Sequence, residues 1–169
     1  MNVVAKVAMV LSMIYYVLGF SYVWFGQLFG LHNYVWDIFD LPRQDVSPPV
    51  WTLLVGLAIS VIAVVSLWMA FAAVWRILNG GTGQDFRDLG ANLRRLAAGL
   101  FGYWFAFNVI TAGLQFLIVV DLPDVEGFEF GWDPIESDIV FLIMAIAIYA
   151  ISRTLDRAWQ AEEENRLFL

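Results

Sequence analysis

The sequence predicts an all-α, polytopic membrane protein whose four transmembrane helices form a bundle. Hydrophobic residues make up 61% of the 169 positions and charged residues only 15%, so a water-soluble domain would expose too much apolar surface. Four apolar runs carry no charged residue: 7–30, 50–75, 96–120 and 139–152. About 20 apolar residues cross the hydrocarbon of a bilayer, and three of the runs reach that length. We therefore predict a single membrane domain over residues 1–169.

The distribution of charge predicts the orientation. Four crossings bring eight of the nine basic residues to one side, which the positive-inside rule makes cytoplasmic, with both termini on it. The loop 121–138, on the opposite side, holds seven acidic residues and no basic one, so direct nucleic-acid binding is not expected there. The eight are Lys6, Arg76, Arg87, Arg94, Arg95, Arg153, Arg157 and Arg166, and Arg43 lies opposite.

Spans one and two are predicted over about residues 5–29 and 50–77. Gly26 with Gly30, and Gly56 with Ser60, are pairs of small residues spaced by four, a pattern that lets neighbouring helices approach closely. The aromatic and charged stretch 31–50 between the spans predicts a short interfacial helix or turn, which ends at Pro42.

A short amphipathic segment precedes span three on the cytoplasmic side. Thr82 and Asp85 fit a helix-capping pattern, and Phe86 begins an apolar stripe that continues through Leu89 and Leu93. Such a segment suits the surface of an anionic leaflet. Its basic residues lie off the stripe: Arg87, Arg94 and Arg95.

Span three is predicted over about residues 96–120. Ala98, Gly102 and Ala106 give it one smooth face for packing on another helix. Its polar residues share a face and form a strip that either lines a route for a ligand or ion or makes hydrogen bonds between helices. The strip consists of Asn108, Thr111 and Gln115.

Span four is predicted over about residues 135–155. Its charge-free core is short, about 21 Å for 14 residues. The span is complete if Glu136 and Asp138 sit among the outer headgroups and Arg153 reaches the inner ones. The alternative, three spans with an external C-terminus, would move three arginines outside. We expect the helix to continue through Trp159 to residues 162–164.

No catalytic residue, cofactor-binding residue or metal ligand is predicted. Cysteine is absent and His32 is the only histidine, which argues against thiolate sites and against two axial haem ligands in one chain. The charge-free runs of the first three spans contain no Asp, Glu, Lys or Arg, although transporters and proton relays normally keep an ionisable group at membrane depth. We therefore predict a protein that is not an enzyme, and no convergent polar cluster supports an enzyme acting on lipid or quinone.

Two stretches on the cytoplasmic side carry a resemblance. One runs from Gly83 and Phe86 to residues 93–95, and the other is a tail with Ala161, Glu163, Glu164 and Asn165. These resemble a bacterial family of four-helix membrane proteins labelled domain of unknown function 2975. The chain lacks the Asp-Leu-Thr that many members carry after the matching Asn. The resemblance implies four spans in a bacterial plasma (inner) membrane, and a cytoplasmic protein partner, because some members are encoded beside a helix-turn-helix regulator.

The function predicted first is an accessory, sensory or scaffold role that engages a cytoplasmic partner through the loop before span three and the C-terminal tail. The alternative is a small transporter or channel-like protein that works as a homodimer around the polar strip. The candidate partner-binding residues are Phe86, Arg87, Arg94, Arg95, Trp159, Glu163, Glu164, Asn165 and Phe168.

Overall fold

The computed structural model describes residues 2–31, 49–80, 85–121 and 136–167. Within these ranges the chain is helical and contains no strand, as predicted. The predicted interfacial stretch, with His32, and most of the acidic loop 121–138 lie outside the described residues. The elements are α1 (Asn2–Leu28), α2 (Val50–Asn79), α3 (Phe86–Phe105), a π-helical turn (Ala106–Ile110), α4 (Thr111–Asp121) and α5 (Glu136–Leu167).

Four helical stretches are long and apolar enough to cross a membrane, which confirms that part of the prediction. They are Val3–Leu28, Val50–Asn79, Phe86–Leu114 and Ile139–Asn165. The third stretch passes through the π turn, because α3, the turn and α4 follow one another without a break. The fourth contains 27 residues, or about 40 Å of helix, so the short charge-free core of span four belongs to a much longer helix.

The third helix begins at Phe86, within the predicted amphipathic segment. Asp85 is its N-cap, and the Asp85 carboxylate accepts a hydrogen bond from the backbone N–H of Arg87 at 3.5 Å. Asp88 adds a negative charge to the first turn, where the helix dipole favours it. Thr82, which the capping pattern suggested, lies outside the described residues. The amphipathic segment is thus the first part of the third helix itself.

α1 and α2 run antiparallel and touch near both ends of α1. The ammonium of Lys6 donates to the side-chain oxygen of Asn79. At the other end, the indole N–H of Trp24 donates to the Ser60 hydroxyl, and the Trp24 ring covers Gly56, where any Cβ would collide with it. The ring of Trp24 therefore packs against the small residues Gly56 and Ser60 of α2.

α1 ends at a glycine with a left-handed backbone. Gly30 has a φ of 68°, a conformation that costs glycine little because it has no Cβ. Its N–H donates to the carbonyl of Gln27 at 3.1 Å, and the N–H of Leu31 donates to the carbonyl of Gly26 at 2.8 Å. This pair of bonds is the Schellman motif that closes many helices, so Gly30 serves as a cap.

α2 and α3 are in close contact at Gly99. A Cβ on Gly99 would lie 2.6 Å from the backbone oxygen of Ser66 and 2.7 Å from the backbone nitrogen of Ala70. Gly102 meets the Ser66 side chain in the same crossing. Ala98, expected on this face, is exposed, and Gly99 takes its place.

α3 also packs on α5, and aromatic rings join three helices. A Cβ on Gly90 of α3 would lie 2.8 Å from the Asp156 carboxylate of α5. Further along, the ring of Tyr103 lies 4.9 Å from that of Phe107, 5.3 Å from Phe141 of α5 and 6.1 Å from Tyr16 of α1. The third helix therefore contacts each of the other three.

Candidate functional site

The two segments predicted to bind a partner lie side by side, where the start of α3 meets the second half of α5. We call this the α3–α5 surface and define it by residues 86–95 and 156–165. Both segments are amphipathic or polar, unlike the apolar stretches that follow or precede them. Gly90 allows their close contact, since it has no side chain to hold the two helices apart.

An arginine and a tryptophan make the first contact across this surface. The guanidinium of Arg87 lies over the ring of Trp159, 5.3 Å from its centre. This distance is within the range of a cation–π interaction, worth about 0.5–1 kcal/mol at an exposed site. Arg87 is exposed and Trp159 is half-buried, so the contact stays accessible from water.

An ion pair makes the second contact. The guanidinium of Arg94 pairs with the carboxylate of Asp156, and these side chains are 40% and 27% exposed. Arg95, next along α3, instead turns to its own helix and donates to the Asn92 side-chain oxygen at 3.4 Å. Arg87 and Arg94 therefore contact α5, whereas Arg95 bonds within α3.

The rest of the α3–α5 surface is open. Phe86 is 45% exposed at the first position of α3, and Glu163, Glu164 and Asn165 are exposed on the last turns of α5. α5 continues eight residues past Trp159, to Leu167, which is about 12 Å. Phe168, the last predicted partner-binding residue, lies outside the described residues.

The depth of these residues follows from helix length. Span four is predicted to end near residue 155, so the twelve residues Asp156–Leu167 of α5 extend about 18 Å beyond it. On the third helix the apolar run begins at Leu96, so the ten residues Phe86–Arg95 extend about 15 Å beyond it. Both segments are therefore long enough to stand outside the hydrocarbon on the same side.

The polar strip of the third helix lies at the π turn. The Asn108 side chain is buried and donates to the carbonyl of Trp104 at 3.0 Å. The Thr111 hydroxyl donates to the carbonyl of Ala106 at 3.0 Å, which also accepts the backbone N–H of Thr111. The side chain of Gln115 lies outside the described residues. Both described donors bond to their own helix, and a ligand route along the strip stays a prediction.

Within the described ranges, no three His, Asp or Glu side chains are grouped so that they could hold a metal ion. Most of the acidic loop lies outside those ranges. No protein-family model, curated protein or solved structure matches this chain. The resemblance to the four-helix family therefore stays a prediction.

Sequence reasoning missed Asp156 and Gly90. A signal for Asp156 was present, because Asp156 and Trp159 are three residues apart and so share a face of α5. Arg87 and Arg94 are seven apart and share a face of α3 in the same way. These two faces carry complementary groups, an arginine for the carboxylate and an arginine for the ring.

Proposed function

We propose that the protein is a non-enzymatic accessory, sensory or scaffold protein of a bacterial inner membrane, and that it binds a cytoplasmic protein partner through the α3–α5 surface. In this proposal the chain crosses the membrane four times as a bundle, with both termini in the cytoplasm. The observation that supports it is the pairing of Arg87 with Trp159 and of Arg94 with Asp156. These contacts join two segments that are distant in sequence into one water-accessible surface.

The antiparallel contacts support the proposed orientation. Lys6 lies beside Asn79 at the end of α2, and Asp85, the N-cap of α3, follows Asn79 by six positions. Arg94 then lies beside Asp156 of α5. The basic residues of these helices thus collect at one end, which the positive-inside rule assigns to the cytoplasm.

The surface suits a protein partner because it combines an exposed apolar anchor with charges of both signs. Aromatic side chains and arginine are enriched at protein interfaces, and Phe86 and Arg87 stand together at the first turn of α3. Glu163 and Glu164 project from the last turns of α5. A partner that carries an apolar pocket flanked by basic residues would match this surface.

Site-specific photo-crosslinking tests the proposal. A photoreactive amino acid is placed at Phe86, at Glu164, or at Ala147, which is exposed on the apolar part of α5 and serves as the control. We expect the first two positions to crosslink one and the same protein in cells, and Ala147 to give none of it. Crosslinks to different proteins from Phe86 and Glu164, or none from either, would refute a shared surface.

The orientation has a separate test that exploits the absence of cysteine from the chain. Single cysteines are introduced at Glu164 and at Leu31, both exposed, and intact cells are treated with a membrane-impermeant maleimide. We expect labelling of Leu31→Cys in intact cells and of Glu164→Cys only after lysis. The reverse pattern would overturn the proposed orientation.

A further inference from the structure

A groove runs between α1 and α2, away from the α3–α5 surface. Its volume is about 430 Å³, within the range of sites that bind small molecules. Met9 and Met13 line it from α1, and Trp68 and Phe71 line it from α2. It lies between the two points at which α1 touches α2, the Lys6 contact and the Trp24 contact.

The groove has the length of one leaflet. Its lining on α2 runs from Trp68 to Arg76, nine residues that span about 12 Å along the helix. Half of the hydrocarbon thickness of a bilayer is about 15 Å. A straight apolar chain that enters at the membrane surface would therefore be covered along most of one leaflet.

The mouth of the groove is positively charged. Arg76 lines it, is exposed and forms no ion pair within the described part of the chain. Lys6 lies at the same end, with its ammonium 5.0 Å from the centre of the Trp75 ring. The ammonium has three N–H donors, and only one is needed for its bond to Asn79. Among the described residues, no carboxylate lines the groove.

We propose that this groove binds one anionic phospholipid, with an acyl chain between α1 and α2 and the phosphate held by Lys6 and Arg76. Basic sites between transmembrane helices recognise lipid headgroups in this way. A second copy of the chain fits less well, because a symmetric contact would bring the same cations against each other. The α1 helix also has little cover from the rest of the protein, so lipid has free access to the groove.

Native mass spectrometry of the full-length protein in mild detergent tests the site. Dioleoyl phosphatidylglycerol and dioleoyl phosphatidylcholine are titrated separately, and the ratio of their dissociation constants gives the selectivity. We expect Arg76→Gln to lower the preference for phosphatidylglycerol about fivefold, and the double variant with Lys6→Gln about 25-fold. The matched control is Arg153→Gln, an exposed arginine on α5 outside the groove, which should leave the ratio unchanged.

A second pair of variants tests the acyl part of the site without changing charge. Ala72 lines the groove, and Ala72→Phe should fill it and weaken phosphatidylglycerol binding at least fivefold. Ala147→Phe makes the same change on the exposed face of α5 and should have no effect. Thermal unfolding of each variant in detergent checks that it remains folded.

Several outcomes would overturn the proposal. They are equal binding of the two lipids by the native protein, a native ratio in Arg76→Gln, or an equal loss in Arg153→Gln. Displacement of the lipid by soluble glycerol 3-phosphate would indicate a phosphate site without an acyl groove. A disulfide-linked dimer formed through Met13→Cys would show that a second copy occupies the groove.

Discussion

Replacing Gly99 by alanine should separate α2 from α3. The added Cβ would lie 2.6 Å from the backbone oxygen of Ser66, 2.7 Å from the backbone nitrogen of Ala70 and 2.8 Å from the Ala70 Cβ. Carbon atoms in contact normally lie about 3.5–4.0 Å apart. Because two of the three atoms belong to the backbone, a change of rotamer cannot relieve the clash. The two helices must move apart by about 0.7–1 Å.

The size of the effect follows from that separation. A gap of about 0.5–1 Å removes a quarter to a half of the dispersion energy of the atoms that face it, and overpacking of this kind typically costs about 1–3 kcal/mol. Alanine also favours a helix over glycine by about 1 kcal/mol, which would mask part of the loss. Gly113→Ala is the matched control, because Gly113 also lies in the third helix and no atom lies within 4 Å of a Cβ there. Comparing the two variants removes the gain in helix propensity, which both share.

The measurement is reversible unfolding in mixed micelles of dodecyl maltoside and sodium dodecyl sulfate, followed by circular dichroism and tryptophan fluorescence. We expect the free energy of unfolding of Gly99→Ala to be about 1–3 kcal/mol below that of Gly113→Ala. If Gly99→Ala is as stable as Gly113→Ala or more stable, the close contact of α2 with α3 at this glycine is wrong.

Three further predictions concern single contacts. A double-mutant cycle of Arg94→Gln and Asp156→Asn should give a coupling of about 0.5–1 kcal/mol that weakens in high salt, because both side chains are partly exposed; a coupling of zero in low salt would exclude the pair. Ser60→Ala should lower the free energy of unfolding by about 0.6–1.7 kcal/mol through loss of the bond from Trp24, and unchanged stability would contradict that bond. Asn108→Leu should cost about 1 kcal/mol in the same micelles, whereas a more stable variant would mean that this bond contributes nothing.

The four long helices could be predicted because the signal for them is a one-dimensional property of the sequence. A charge-free apolar run of about 20 residues indicates a transmembrane helix without any knowledge of its neighbours. The start of the third helix was harder to place, because two capping residues compete there. Thr82 and Asp85 both suit an N-cap by residue type, and the helix begins directly after Asp85.

The contacts between helices could not be read from the sequence. The third helix contains several glycines and alanines, and more than one of its faces carries small residues spaced by four. The spacing alone therefore does not show which face packs on α2. The rotation of the third helix about its axis decides whether Ala98 or Gly99 faces α2. In the structure Gly99 lies against Ser66 and Ala70. The same limit applies to the pairing of Asp156: its spacing from Trp159 marks a shared face of α5, but the sequence does not show that Arg94, 62 positions away, lies against that face.

The polar strip shows why residue type alone leaves function open. Asn108 and Thr111 were predicted either to line a route for a ligand or ion or to form hydrogen bonds between helices, because buried polar groups in a membrane need a partner. The partner of each is a carbonyl of its own helix. The π turn creates an irregular backbone, and π turns often mark functional sites. Hydrophobic periodicity does not predict a π turn, so the hydrogen bonds of Asn108 and Thr111 to their own helix could not be predicted from the sequence.

The two proposed sites should respond independently, because they use different pairs of helices. The lipid groove belongs to α1 and α2, and the partner surface belongs to α3 and α5. Arg76→Gln should therefore lower lipid selectivity and leave the crosslinks from Phe86 unchanged, while Trp159→Ala should do the opposite. Mutations at separate sites with no shared contacts usually have additive effects. If Arg76→Gln abolished the crosslinks, lipid binding and partner binding would be coupled, and the close crossing of α2 and α3 at Gly99 is one physical connection between the two pairs of helices.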